Sequence, residues 1–352
     1  MAYTTINKSS DYFNTKLYTG TGSAQSITGV GFQPDLIWGK NRSATWNHIF
    51  TDAVRGANKQ ISSNLTNAEE SNTGEFTAFG SDGFSVGTGS TLNGSGNNIC
   101  SWNWKANGSG SANTDGSITS TVSANTTSGF SIVTYTGTSS NETVGHGLGV
   151  TPSLIIARPY STTSNWTVWH KSIPITQYLF LNTTAGLDTA NQWQDTLPTS
   201  NVFYTSTGST PNLASGTSQI AYCFAEKQGF SKFGSYTGNA NADGTFVYTG
   251  FVPAFVICKV TSTTDNWMMF TNKIGSSTDN TSGFNIHSRI LEANGNGAEQ
   301  SVGSGQGIDF VSNGFKIRED NGNLNGSGAT YIYMAFAEAP LVGSNNIPCT
   351  AR

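Results

Sequence analysis

The sequence predicts an all-β protein built of three tandem antiparallel β-sandwich repeats of jelly-roll or concanavalin-like form. Two observations lead to this prediction. Three sequence landmarks recur in the same order, and each copy spans about 100 residues, which is the size of an independent β domain. Short apolar runs are separated by clusters of Gly, Asn, Asp and Ser about every 8–12 residues, as strands and turns require.

The first landmark is a Tyr-Thr-Gly that ends a strand, and the second is an apolar run that follows a proline and precedes a tryptophan. The third is a small-residue turn that leads into the last strand of each repeat. Three landmarks in the same order, three times, indicate internal duplication rather than chance. The copies are Tyr18, Tyr135 and Tyr236 for the first landmark; 34–40, 152–158 and 253–259 for the second, with Trp46, Trp166 and Trp267; and 93–96, 213–216 and 325–328 for the third.

The landmarks divide the chain into repeat one (1–107), repeat two (128–229) and repeat three (230–342). The Gly/Ser/Thr/Asn-rich stretch 108–127 is predicted to be a linker, and 343–352 a C-terminal tail. Because repeat two runs directly into repeat three, we expect these two to pack rigidly. Repeat one is expected to move independently and to be cut from the others first, within the linker, by limited proteolysis.

Charged residues make up only 11% of the chain, against about 25% in ordinary globular proteins, and the formal net charge is −4. No Lys/Arg stripe is present to neutralise phosphates, so the composition excludes a nucleic-acid partner. No apolar run approaches the 18 or so residues of a membrane span, and no membrane insertion is expected. Hydrophobic residues reach 36%, which is enough to bury real cores. Cys223 and Cys258 lie in apolar runs and are predicted to be buried free thiols.

No residue set in the sequence predicts catalysis, a cofactor or a metal site. The four histidines lack metal-ligand spacing. Glu226 and Glu338 occupy equivalent positions in separate repeats, so they cannot flank one glycosidic bond, and a structural role at a strand end is expected. The stretch 320–326 resembles a calcium loop, but the matching segments carry no acid, and a hairpin turn is predicted there instead. We therefore expect a protein that is not an enzyme.

The tryptophans Trp46, Trp166 and Trp267 leave two interpretations open. A tryptophan at the same place in three repeats is typical of the core between two sheets. Aromatic rings next to Asn and Asp are also typical of sugar-binding faces, because a pyranose stacks on the ring while amides bond to its hydroxyls. These three residues are the candidate ligand-facing aromatics.

Longer strings of the chain resemble a family of virion structural proteins from tailed bacteriophages of marine and freshwater bacteria, cyanophages among them. The resemblance covers nearly the whole chain. It implies a structural or tail-fibre-like protein with concanavalin-like domains, and it transfers no catalytic residue. The strings are MAYTTINKSSDYFNTKLYTG, GVGFQPDLIWGKNRS, GSITSTVSANTTSGFSIVTYTG, AYCFAEKQGFSKFGSYTG, GFVPAFVICK and YIYMAFAEAPLVG.

The expected function is that of a non-enzymatic virion protein on the particle exterior, as a fibre, tail-tip component or capsid decoration. We expect it to assemble with itself, as a homotrimer, and to contact other virion proteins. Repeat one (1–107), the separately linked copy, is expected to dock on the particle. Low charge suits a protein that must persist outside cells, since its stability then depends little on salt. The alternative is a carbohydrate-binding module that recognises a glycan on the host surface.

Overall fold

The chain forms antiparallel β-sheets in a computed structural model that describes residues 3–274, 287–301 and 307–345. The prediction of an all-β fold is therefore confirmed. Helical residues of the described ranges are confined to segments of three or four residues, and none of these helices could span a membrane. The predicted tail 343–352 lies outside the described residues beyond residue 345.

The first unit follows a short 3₁₀ helix at Ser9–Asp11 and contains helix α1 at Ser90–Asn93. Its strands are β1 (Phe13–Thr19), β2 (Gln25–Thr28), β3 (Leu36–Asn41), β4 (Ile49–Asp52), β5 (Lys59–Gln60), β6 (Glu70–Ser71), β7 (Phe76–Gly80), β8 (Gly83–Val86) and β9 (Asn98–Trp104). The larger sheet has the order β1-β9-β3-β4, the smaller one has the order β2-β8-β7, and β5 pairs with β6.

The second unit contains a 3₁₀ helix at Thr210–Asn212. Its strands are β10 (Ser111–Asn113), β11 (Ser120–Asn125), β12 (Phe130–Thr136), β13 (Glu142–Gly145), β14 (Leu154–Pro159), β15 (Thr167–His170), β16 (Gln177–Phe180), β17 (Asp188–Thr189), β18 (Val202–Thr205) and β19 (Ser218–Phe224). The larger sheet has the order β10-β11-β12-β19-β14-β15-β16-β17, and β13 pairs with β18 in a second sheet.

The third unit contains helix α2 at Gly322–Asn325. Its strands are β20 (Ser231–Thr237), β21 (Phe246–Tyr248), β22 (Phe251–Val260), β23 (Met268–Thr271), β24 (Arg289–Glu292), β25 (Gln300–Ser301), β26 (Ile308–Val311), β27 (Gly314–Ile317) and β28 (Thr330–Pro340). The larger sheet has the order β20-β28-β22-β23-β24-β25, and the smaller one β21-β27-β26. All three larger sheets therefore contain the same succession of four strands. It is β1-β9-β3-β4 in the first unit, β12-β19-β14-β15 in the second and β20-β28-β22-β23 in the third.

The stretch 108–127, predicted to be a linker, instead supplies strands β10 and β11 to the larger sheet of the second unit. The free edge of β12 offers unpaired backbone groups, and β11 pairs with it from Phe130 to Thr134. Ser123 and Val122 are buried as a result. The Gly/Ser-rich composition concealed this strand, because small polar residues alternate there with few apolar ones.

The first and third landmarks are joined by hydrogen bonds. The tyrosine hydroxyl of each Tyr-Thr-Gly donates to a backbone carbonyl in the short helix before the last strand. Tyr18, for example, donates to the Leu92 carbonyl over 2.9 Å. The prediction of a hairpin turn at 320–326 is wrong, because the chain forms a short helix there and in the matching segments of the other two units. The small-residue turn predicted for the third landmark is present just after each helix. The hydroxyl pairs are Tyr18 with Leu92, Tyr135 with Pro211, and Tyr236 with Leu324.

A fully buried asparagine at the end of each short helix explains why that residue type recurs. The Asn93 Oδ1 atom accepts from the Thr21 amide over 2.9 Å, and its Nδ2 group donates to the Ser23 carbonyl over 2.6 Å. Asn212 and Asn325 bind the corresponding loops in the same way. Each asparagine therefore replaces the hydrogen bonds that the irregular loop cannot make with itself.

The larger sheets are buried on both faces, which explains their long apolar runs. In β3, Ile37 points into a core between the two sheets of the first unit, whereas Leu36 and Trp38 point into a core shared by all three units. In β22, Val256 belongs to the core of the third unit and Phe255 to the shared core. The all-β arrangement is β-sandwich-like, with a further central layer.

Three equivalent aromatic rings lie in contact within the shared core. Trp104 and Phe224 have ring centroids 6.2 Å apart, Trp104 and Phe336 are 5.6 Å apart, and Phe224 and Phe336 are 5.9 Å apart. Each residue comes from the last strand of a different unit. The predicted freedom of repeat one is not what the structure shows, because its Trp104 packs directly against both other units.

Candidate functional site

The structure places two of the three candidate tryptophans inside the protein. Trp166 is 0% exposed and Trp267 is 5% exposed. Their indole Nε1 groups donate to backbone carbonyls of the preceding unit, Trp166 to Ser62 over 2.9 Å and Trp267 to Phe180 over 3.0 Å. A ligand-facing role is therefore wrong for these two, and their burial agrees with the alternative that they fill the core.

Trp46 is not the structural equivalent of the other two tryptophans. The amides of Trp166 and Trp267 donate to an asparagine Oδ1, and in the first unit the amide that does so belongs to His48. The sequence held a signal for this two-residue shift: an asparagine directly precedes Trp166, Trp267 and His48, whereas Trp46 precedes its asparagine.

His48 therefore occupies the position of a core aromatic. Its Nδ1 atom accepts from the Trp38 indole Nε1 over 2.8 Å, and the side chain is fully buried. Burial holds the pKa of His48 well below its usual value, and the nearby Lys40 charge lowers it further. The imidazole is consequently neutral and structural.

Trp46 itself is 38% exposed and borders a polar cavity of about 260 Å³ on the surface of the first unit. The cavity is formed mainly by the β3–β4 and β5–β6 connections, and the second unit holds the β5–β6 connection in place. The Arg158 guanidinium donates to the backbone carbonyls of the 65–67 segment that forms one wall. The lining residues are Trp46, Asn47, Ile49, Gln60, Ser62, Leu65, Asn67, Ala68, Glu70, Asn72 and Thr91.

Hydrogen-bonding groups dominate the rest of the cavity lining. Asn47 Oδ1 accepts from the Asn64 amide over 2.9 Å, which orients Asn47 and leaves its NH₂ group as a donor. Gln60 Nε2 donates to a Glu70 carboxylate oxygen over 3.4 Å. A flat aromatic ring faced by amides and one carboxylate can hold a ligand that has both an apolar face and several hydroxyls.

The two candidate glutamates form ion pairs. Glu226 binds Lys171 and Lys232, the second over 2.7 Å, and so joins the second unit to the start of the third. Burial opposes ionisation of Glu226, but hydrogen bonds from both lysines lower its pKa overall. Glu338 pairs with Lys273 over 3.4 Å. Both lie in or just beyond a last strand, as the prediction of a structural role expected.

Within the described ranges, no three His, Cys, Asp or Glu side chains are grouped so that they could hold a metal ion. His170 is buried, its pKa is lowered to about 4 by burial, and its ring contacts the Tyr333 carbonyl of the third unit over 3.1 Å. Cys223 and Cys258 are buried free thiols, as predicted, and Cys100 is a third. Burial raises the pKa of all three thiols.

Sequence reasoning missed the basic residue that ends each copy of the second landmark. These residues are completely buried and reach into the neighbouring unit, so that they close a ring of three contacts. Burial lowers the pKa of Lys40 and of Lys259 to about 8 and that of Arg158 to about 10. A basic residue at the same place in three apolar runs is the signal that marks them. The contacts run from Lys40 to the Asn296 carbonyl at 3.3 Å, from Arg158 to the Thr66 carbonyl at 2.8 Å, and from Lys259 to the Thr184 carbonyl at 3.0 Å.

Comparison with known proteins treats the three units as parts of one domain. One family model, described as a domain of unknown function (DUF7483), matches residues 8–340. The chain belongs to the DUF7483 family. The match begins before the first strand of the first unit and ends with the last strand of the third, so the DUF7483 domain comprises all three units. No curated protein and no solved structure matches the chain.

Proposed function

We propose that the protein is a non-enzymatic structural component of a tailed-phage particle, exposed on the exterior as a fibre, tail-tip element or capsid decoration. The observation that carries this proposal is the closed ring of three units around one aromatic core, joined by buried cations and indole groups. Such a ring suits a protein that persists outside cells, because local unfolding of any unit must expose the shared core. The string resemblance to virion proteins supports the same location.

The proposal includes a finer description of the fold. We take the three units as tandem β-sandwich repeats of jelly-roll or concanavalin-like form, descended from one ancestral unit. Support comes from the common strand succession in their larger sheets and from the matching tyrosine and asparagine hydrogen bonds. Three copies in one chain give the molecule an approximate threefold design.

Self-association as a homotrimer and contact with other virion proteins also belong to the proposal. The faces that meet around the shared core are already used within the chain, so further association must use the outer surface. Phe246 is 46% exposed and Tyr248 is 52% exposed on β21, which is an edge strand of its sheet. Exposed aromatics on an edge strand are typical of protein contacts. Docking through repeat one rests on a separate tether for that repeat. The fold gives no such tether, because the stretch 108–127 supplies strands β10 and β11 of the second unit.

Recognition of a glycan on the host surface is a second candidate function, compatible with the first. One observation favours it: of the three candidate tryptophans, Trp46 is exposed, and it stands beside a polar cavity.

The location is tested on particles of a phage that encodes this chain. Purified particles are analysed by mass spectrometry and labelled with a gold-conjugated antibody raised against the recombinant protein. We expect the chain in intact particles, with label on the outer surface, and its copy number distinguishes capsid decoration from a tail component. Absence from washed particles, or label only after the particles are disrupted, would contradict the proposal.

A further inference from the structure

We propose that the cavity beside Trp46 is a binding site for a neutral saccharide, with one pyranose ring stacked on the indole. This inference rests on the proposed exterior location, where a host glycan would be met. It assigns recognition to the first unit alone.

Size and polarity select the class of ligand. A cavity of about 260 Å³ is slightly below the ~300–1,000 Å³ of typical small-molecule pockets, so it suits one sugar ring better than a larger ligand. Most of its lining side chains are amides, hydroxyls or a carboxylate, which does not suit an apolar ligand. The exposed face of Trp46 supplies the apolar surface that the C–H face of a pyranose needs.

Charge excludes acidic sugars. Of the residues that line the cavity, all of which lie in the described part of the chain, Glu70 alone is charged. The nearby Lys59 bonds to Ser71 over 2.7 Å and pairs with Glu69 over 3.5 Å. A carboxylate can accept from two hydroxyls but repels uronic acids and sialic acids. The site therefore favours a neutral hexose or N-acetylhexosamine.

The cavity is held in shape before any ligand arrives. Arg158 donates to the Leu65 carbonyl over 3.1 Å and to the Thr66 and Asn67 carbonyls over 2.8 Å each, which fixes one wall. On another wall, the Asn72 Oδ1 atom accepts from the Gly74 amide over 2.8 Å. Walls that do not have to be ordered on binding reduce its entropic cost.

The second and third units cannot repeat this site. The residues two places before their buried tryptophans, which correspond to Trp46, are Ser164 and Asp265. Neither offers an aromatic face, so among the residues that the structure describes the first unit carries this site and the other two do not.

The test uses the full chain and a panel of oligosaccharides ending in galactose, glucose, mannose or N-acetylglucosamine, with a glucuronate-terminated oligosaccharide as the acidic probe. Binding is measured by saturation-transfer NMR and by calorimetric titration. We expect at least one neutral probe to bind and the acidic probe to bind at least tenfold more weakly. Trp46→Ala should lower affinity at least tenfold, Trp46→Phe should retain most of it, and Glu70→Gln should weaken it several-fold.

The matched control is Leu197→Ala, which removes a 60% exposed apolar side chain of the second unit and should leave affinity unchanged. Melting curves verify that each variant is folded. Failure of the wild type to bind any neutral probe, or unchanged affinity in Trp46→Ala, would overturn the inference. Incorporation into particles distinguishes this failure from failure of the proposed function: a chain present on particles that binds no sugar refutes only the saccharide site.

Discussion

At the scale of single residues, this protein buries polar side chains and gives most of them a defined partner. The asparagines that end the short helices, the neutral His48 and the inserted cations all follow this rule. Glu319 is an exception, because it is 1% exposed and neither carboxylate oxygen has a hydrogen-bond partner. Burial, helped by the negative charges of Asp320 and Asp265, raises the pKa of Glu319 to about 7.

Glu319 predicts a pH-dependent effect on stability. Between pH 4.5 and about 7 the folded chain keeps a proton that the unfolded chain has lost, so this residue's contribution to the free energy of unfolding falls as pH rises. Glu319→Gln should therefore be near neutral at pH 5 and stabilising by about 3 kcal/mol at pH 8. Urea unfolding at both pH values measures the difference.

The control is Glu338→Gln, which removes an exposed ion pair and should change stability by less than about 1 kcal/mol at either pH. An effect of Glu319→Gln that is equal at pH 5 and pH 8 would show that this carboxyl does not titrate differently in the folded chain.

At the scale of secondary structure, the strand of the second landmark performs two tasks. Alternate residues serve the core of their own unit and the shared core, and the basic residue at its end enters the neighbouring unit. Arg158 makes the largest set of contacts, and its guanidinium also lies 5.1 Å from the centre of the Trp166 ring. The interface between units is therefore specified by one strand end.

Arg158→Met should destabilise the protein by about 2–4 kcal/mol, because it removes a buried donor that serves three carbonyls of the 65–67 segment. Arg158→Lys should cost less, about 1 kcal/mol, because Lys40 and Lys259 fill the corresponding positions in the other units. Urea unfolding of both variants gives the comparison. Equal losses in the two variants would indicate that the shape of the side chain, rather than donation to carbonyls, sets the stability.

At the scale of the whole molecule, the three units form one cooperative body. Each contributes one aromatic ring to the central triangle, and each sends a buried cation into a neighbouring unit. No unit can therefore separate without exposing apolar surface and breaking the hydrogen bonds of these cations. Tandem repeats in one chain thus achieve the closure that oligomers reach through symmetry.

Calorimetry should therefore show a single unfolding transition, with a calorimetric enthalpy equal to the van't Hoff enthalpy. Limited proteolysis of the native protein should spare 105–128, because its residues 111–113 and 120–125 are paired in β10 and β11. Two separate transitions, or a first cut in this stretch, would mean that the first unit unfolds on its own.

The candidate site was only partly accessible to sequence reasoning. Sequence reasoning singled out Trp46 but aligned it with the wrong residues of the other repeats, because its neighbours in the sequence resemble those of Trp166 without matching their order. Nothing in the sequence around Trp46 shows that residues 60–72 fold back to form a cavity beside it. Predicting the cavity requires knowing which loops meet in the folded chain, and local sequence patterns do not contain that information.

The sequence by itself determined the all-β class, the threefold repetition and the apolar strands, because these depend on local periodicity and on which residue types recur. Only the tertiary structure decided that the repeats close into a ring, that 108–127 is a pair of strands, and which tryptophans are buried. The physical reason is that a strand buried on one face and a strand buried on both differ in what packs against them. That partner comes from a different part of the chain.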